Sequence, residues 1–154
     1  MMDEVFVRID DRLLHGQVVV SWIPYLKANL VVVADDEYAK DEFMRSLIES
    51  SGPEGVKVHV KTIEETAEFL KDDRDNRILV LLRSIEGIRK LSKKAKVANI
   101  NIGGLGAGER RKRYYNSIHL SDDELNILKE MANDNIYVEV RILPKDKAIV
   151  IKGS

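Results

Sequence analysis

The chain has no cysteine among its 154 residues. Disulfides, thiolate metal sites and cysteine nucleophiles are therefore excluded, and the absence agrees with a reducing, cytosolic setting. Histidine is nearly as scarce, with three copies, and there are three prolines and one tryptophan. No apolar run approaches the roughly 18 residues expected of a membrane-spanning helix. The first residues, MMDEVFVRID, are acidic and lack the basic start and apolar core of a signal peptide. Charge of either sign is not in excess: 25 basic and 26 acidic residues leave a net charge of −1. Binding to nucleic acid or a membrane surface would need a local patch rather than a global field. The expectation is a soluble cytoplasmic protein. Its 44% hydrophobic and 33% charged residues suit a single packed domain over residues 1–154.

What is present is an alternation of short apolar runs with helix-like stretches. Strands are expected at Val5–Ile9, Leu30–Ala34, Val56–Val60, Ile78–Leu82, Ala98–Ile102 and Ser117–Leu120. LVVVA and ILVLL are apolar throughout, as parallel strands covered on both faces must be. Helices are expected at roughly 16–27, 37–50, 62–71, 84–94 and 121–133. Thr62-Ile-Glu-Glu65 and Ser121-Asp-Asp-Glu124 have capping-box spacing, Ser84 suits the cap of the fourth helix, and Asp35 or Asp36 the second. Pro24 should kink or restart the first helix. The acidic run Asp72-Asp-Arg-Asp75 reads as a solvated helix end. Ile136–Leu143 and Ala148–Ile151, separated by Pro144-Lys-Asp-Lys147, read as an antiparallel hairpin. The fold class is α/β: an open, mostly parallel twisted sheet of about seven strands, helices on both faces and a C-terminal β-hairpin at the edge.

The histidines differ in setting. His59 sits in mid-strand and His119 near a strand end, and both read first as structural. His15 follows the first strand in Val7-Arg-Ile-Asp-Asp-Arg-Leu-Leu-His-Gly-Gln17, where a helix opens. Free backbone amides and the helix dipole make such a junction an anion site. The amides near Leu14, Gly16 and Gln17 are the candidate phosphate-binding backbone, and Gly16 permits close approach. Arg12 or Arg8 could set a guanidinium fork on phosphate oxygens. Asp10 or Asp11 could accept one ring N–H of His15 and fix its tautomer, or cap the helix. A helix N-terminus also disfavours an imidazolium, leaving a lone pair for nucleophilic attack. On these residues alone His15 is either an anion contact or a nucleophile. Gly103 and Gly104, directly after a strand, suggest a sharp turn or a close approach to a neighbour, and Arg110-Arg-Lys-Arg113 is a local basic patch on the loop that follows. Trp22 reads as core.

Arg8-Ile-Asp-Asp-Arg-Leu-Leu-His-Gly-Gln-Val18 closely resembles the signature of the IIB component of the mannose/fructose/sorbose family of the phosphoenolpyruvate-dependent sugar phosphotransferase system. The resemblance extends through LVVVADD at 30–36, Asn101-Ile-Gly-Gly104 and Ser117-Ile-His-Leu-Ser121. It implies a phosphotransferase in which His15 takes phosphate from the IIA component. The sugar is phosphorylated as it passes through the membrane components IIC and IID. It implies that Arg12 neutralises the transferring group; Asp10 and Arg8 are supporting residues by their place in the loop. It also implies that no metal or cofactor takes part, and a location at the cytoplasmic side of the transporter. A homo-oligomer is compatible, and nucleic acid is not an expected partner. The competing reading is an anion- or nucleotide-binding doubly wound module, but DDRLLHG lacks the glycine fingerprint that module needs.

Overall fold

The structure is a computed structural model that describes residues 4–72 and 75–154. The N-terminal Met1–Asp3 and the middle of the acidic run, residues 73 and 74, lie outside the described residues.

Among the described residues nine strands form: β1 (Val5–Asp10), β2 (Leu30–Ala34), β3 (Lys57–Lys61), β4 (Ile78–Leu82), β5 (Asn99–Gly104), β6 (Lys112–Tyr115), β7 (Ile118–Leu120), β8 (Tyr137–Val140) and β9 (Ile149–Ile151). Seven of them make one sheet in the order β3-β2-β4-β1-β5-β8-β9. All its pairings are parallel except the last, where β9 returns antiparallel on β8 through the turn at Pro144. The apolar runs behave as expected: every residue of β2 and of β4 is buried.

Among the described residues six α-helices accompany the sheet: α1 (Ile23–Leu26), α2 (Asp36–Ala39), α3 (Glu42–Glu49), α4 (Ile63–Asp72), α5 (Ile85–Lys94) and α6 (Asp122–Asn133). Ala67 of α4, Ile85, Ile88 and Leu91 of α5, and Leu128 and Met131 of α6 pack with Val7, Ile9, Val80, Ile100, Ile102 and Val138 on one face. Trp22, Ile23 and Leu26 pack with Val31, Val33, Leu79 and Leu81 on the other, where Ile48 of α3 also lies. β1 therefore sends its helix to one face, while its neighbours β4 and β5 send theirs to the opposite face. Such a divergence opens a crevice at the carboxyl end of the strands, where ligands bind in open α/β sheets.

The caps form as the sequence suggests. Thr62 Oγ1 accepts from Glu65 N (3.0 Å) while Thr62 N donates to Glu65 Oε1 (2.8 Å). Ser121 and Glu124 make the same reciprocal pair. Ser84 caps α5, and Asp35 caps α2. Ser121→Ala is expected to lower stability by about 1 kcal/mol, read as a shift in the urea midpoint at unchanged slope.

Three expectations need correction. The single helix at 37–50 is two, because the Asp41 carboxylate accepts from Met44 N and starts a second helix after Ala39. The segment Ser117–Leu120 does not join the main sheet; β7 pairs antiparallel with β6 in a separate two-stranded sheet. The basic run 110–113 is consequently not a loose loop: Arg110 turns the chain at φ 67, and Lys112 and Arg113 enter β6. The first helix opens at Gly16 and meets Pro24 through a π-helical stretch, Val18–Trp22, before resuming as α1. The wider turn accommodates a ring that would crowd the preceding carbonyls.

Candidate active site

Asp10 ends β1 and is fully buried. The β1–β5 register shifts at this point, so that Asp10 faces Gly104. A Cβ at residue 104 would lie 2.7 Å from Asp10 Oδ1, so glycine is what lets the carboxylate occupy its place. The chain then turns: Leu13 N donates to Asp10 O at 2.9 Å, and Leu13 takes a left-handed φ of 57. That conformation is costly for leucine. It is held by burial of the Leu13 side chain in the α1-side core. The turn carries Arg12 and His15 back over Asp10.

The Asp10 carboxylate is the hub. Oδ1 accepts from Arg12 N (3.1 Å) and Arg12 Nε (3.0 Å). Oδ2 accepts from Arg12 Nη2 (3.1 Å) and Arg8 Nη2 (3.3 Å), and lies 2.9 Å from His15 Nε2. Burial by itself would raise the Asp10 carboxyl. The hydrogen bonds from the Arg12 side chain, His15 and the Arg12 backbone, with the Arg8 charge, outweigh it and hold the group below its ordinary value. An ionised carboxylate only accepts, so His15 donates from Nε2. In the Nε2–H tautomer the lone pair is on Nδ1. His15 is 17% exposed and Arg12 51%. The site is thus reachable by a partner but closed beneath.

Among the expected site residues, Asp10, Arg12 and His15 come together. Gly16 and Gln17 open the helix beside them, where the first amides precede any intrahelical acceptor. A Cβ at Gly16 would meet no protein atom within 4 Å. Leu14 leans on the α1-side core. Asp11 does not touch His15; its Oδ2 accepts from Gly106 N (2.8 Å) and its N–H donates to Gly104 O (2.9 Å), clipping the loop to the end of β5.

Arg8 requires a correction. It cannot set a fork on a surface phosphate, because it is 1% exposed beneath Asp10. Nη1 donates to Asn101 Oδ1 (2.6 Å) and Arg141 O (3.2 Å), and Nη2 also to Ile142 O (3.2 Å). The guanidinium lies over Trp22, 4.8 Å from the ring centroid. Burial lowers the Arg8 pKa to about 10, with Asp10 opposing the shift. Trp22 is core, and its Nε1 donates to Ile142 O at 2.9 Å.

His119 is tethered by its backbone N–H to Leu105 O (2.8 Å), and His59 on β3 leans against Phe69. Neither belongs to the site. Arg111 is pinned by Glu124 Oε1 (3.0 Å) and Oε2 (2.8 Å), whereas Arg110, Lys112 and Arg113 are exposed or nearly so. Among the described residues no group of three or more His, Asp or Glu is placed to hold a metal, and no helix is long and apolar enough to cross a membrane.

Sequence reasoning anticipated the close approach at Gly104 but missed Asn101 and Glu139 as partners beneath the site. One signal was available: in NINIGG every second residue is polar or glycine, although the strand is central. That pattern marks a sheet face that buries polar partners instead of a helix.

The family model for the PTS system sorbose subfamily IIB component matches residues 4–152. The PTS system fructose-specific EIIB component of Bacillus subtilis (strain 168) is 26% identical over 149 residues, covering 95% of this chain and 91% of that protein. The N-acetylgalactosamine-specific phosphotransferase enzyme IIB component 1 of Escherichia coli (strain K12) is 29% identical over 146 residues, covering 93% of this chain and 92% of that protein. The crystal structure of manxB from Thermoanaerobacter tengcongensis aligns with a TM-score of 0.87 at 30% identity, covering 96% of this chain and 92% of that one.

Proposed function

This chain belongs to the sorbose-subfamily IIB components of the sugar phosphotransferase system, and from that premise we propose that His15 Nδ1 carries the phosphoryl group. The chain is a phosphotransferase of that system; the residues that perform the transfer are our reading. The observation that carries it is the 2.9 Å approach of Asp10 Oδ2 to His15 Nε2. It commits the ring proton to Nε2 and leaves Nδ1 as the nucleophile.

In the first step Nδ1 attacks the phosphorus of a phosphohistidine on a IIA partner. The new P–Nδ1 bond forms as the donor P–N bond breaks, and the donor ring recovers its lone pair. In the second step a sugar hydroxyl, presented by IIC and IID, attacks phosphorus; P–Nδ1 breaks and the hydroxyl proton is released. Arg12 spends Nε and Nη2 on Asp10, and among the described residues Nη1 takes no partner and can meet a phosphoryl oxygen, as can the amides of Gly16 and Gln17 at the helix start. The amide of Leu14 lies beside them on the same turn. Transition-state charge is spread over the equatorial oxygens, where such donors act. A relay must also release its cargo. One guanidinium and a few amides give moderate stabilisation, whereas a deep cage of donors would trap the phosphohistidine.

Arg8 supports Asp10 from below and does not touch the phosphoryl group. Residues 1–154 act as one IIB domain at the cytoplasmic face, docking transiently on IIA and on the membrane components. A homo-oligomer is compatible with this chemistry but not required by it. Incubation with labelled phosphoenolpyruvate and the upstream carriers should place an acid-labile, alkali-stable label on the wild type and none on His15→Ala. Undiminished labelling of that variant would rule out the assignment.

A further inference from the structure

Across β1, β5 and β8 three polar side chains stand side by side in one register row: Arg8 opposite Asn101, and Asn101 opposite Glu139. All three are buried, with Asn101 at 9% and Glu139 at 6% exposure. They form a continuous chain. Glu139 Oε2 accepts from Asn101 Nδ2 at 2.7 Å, Asn101 Oδ1 accepts from Arg8 Nη1 at 2.6 Å, and Arg8 Nη2 donates to Asp10 Oδ2 at 3.3 Å. That same Oδ2 receives His15 Nε2. Glu139 is itself held by Arg141 Nε (3.3 Å) and the Tyr137 hydroxyl (3.1 Å).

This row costs more than an apolar one would. On the same face of the sheet, β2 and β4 present Val31, Val33, Leu79 and Leu81. Taking an arginine and a glutamate out of water carries a desolvation penalty that their attraction to buried partners repays only in part. Fold stability alone is therefore a poor reason for the row, and its end point is the carboxylate under His15.

We propose that Asn101 is a positioning residue for the phosphoryl transfer, holding Arg8 under Asp10 so that the Asp10 carboxylate stays aimed at His15 Nε2. This inference rests on the assignment of His15 as the carrier. The amide suits the position because it joins a cation to an anion without adding charge: its oxygen accepts from Arg8 and its nitrogen donates to Glu139. A leucine would remove one partner from each neighbour, the acceptor of Arg8 Nη1 and the donor to Glu139 Oε2. An aspartate would keep the acceptor for Arg8 but set a carboxylate against Glu139. Gly103 makes the approach possible, since a Cβ there would fall inside the Arg8 guanidinium. With the Asn101 acceptor gone, Arg8 keeps Trp22 and the carbonyls of Arg141 and Ile142 but loses its shortest hydrogen bond, and its guanidinium shifts toward Glu139. Asp10 Oδ2 then loses its partner from the buried side.

The test uses the full-length protein and a phosphorylated IIA donor. It reads the rate of phosphoryl acceptance at saturating donor, the donor concentration at half-maximal rate, and the ring-nitrogen NMR signals of His15. Asn101→Leu should slow acceptance by about tenfold to a hundredfold at an unchanged half-saturating concentration. Its His15 ring should show mixed Nδ1–H and Nε2–H tautomers in place of Nε2–H alone. Asn101→Asp should be similarly impaired. The double variant Asn101→Asp/Glu139→Gln reverses donor and acceptor between the two residues and should restore both the rate and the single tautomer. If Asn101→Leu does not fold, Asn101→Asp against the double variant carries the comparison. A wild-type rate and tautomer in Asn101→Leu, or no rescue by the double variant, would overturn the proposal. A wild type that takes no label on His15 would instead defeat the functional assignment beneath it.

Discussion

Gly103→Ala is expected to destabilise the protein by about 3–5 kcal/mol, a large fraction of the stability of a domain this size. The added methyl would coincide with the Arg8 guanidinium. Elsewhere the tip of an arginine would swing away at little cost. This one is packed against Trp22 and is hydrogen-bonded to Asn101, Asp10 and the carbonyls of Arg141 and Ile142. Overpacking typically costs about 1–3 kcal/mol, and each displaced hydrogen bond to a buried charge about 1.5–3 kcal/mol more. The measurement is urea unfolding of the two proteins. Gly16→Ala is the control, because a Cβ there meets open space. A wild-type midpoint for Gly103→Ala would mean that Arg8 has another place to go, and that the buried row is not what holds it.

Asp10→Asn should reduce phosphoryl acceptance by about two to three orders of magnitude, as expected when the group fixing a catalytic imidazole loses its charge. The amide can offer one oxygen where the carboxylate serves Arg8, Arg12 and His15 with two. Its NH2 would face donors. Stability should also fall by about 3–5 kcal/mol, because Arg8 is left as an uncompensated buried charge. This loss has a defined pH dependence. The Asp10 carboxyl is held below its ordinary value of 3.8. A depressed carboxyl contributes its stabilisation above the unfolded-state value and loses it as pH falls through the folded-state value. The gap between wild type and Asp10→Asn should therefore be full near neutrality and close only below the ordinary carboxylate range. Urea unfolding across a pH series reads it directly.

Much of the site was legible because it is local. Asp10, Arg12 and His15 lie within one turn between a strand and a helix, and their spacing determines their meeting. The capping boxes at Thr62 and Ser121 and the apolar runs of β2 and β4 were legible for the same reason. What was not legible depends on tertiary contacts. Arg8 alternates with Val7 and Ile9 and so points to the other face of β1. Nothing local tells that Asn101 waits there, 93 residues on. The polar residues of β5 and β8 on that face satisfy one another through a hydrogen bond that forms only once the strands pair. β6 went unseen because Lys-Arg-Tyr-Tyr has no apolar alternation; its four residues are all exposed, and the strand exists only through its pairing with β7. The break between α2 and α3 was hidden because the periodicity continues across Lys40, while the Asp41 cap competes locally and wins.

The most direct measurement is phosphorus–nitrogen coupling in the phosphorylated protein with 15N-labelled histidine. The phosphorus should couple to Nδ1 of His15, and Nε2 should remain protonated toward Asp10. Phosphate on Nε2, or on any residue other than His15, would contradict the account.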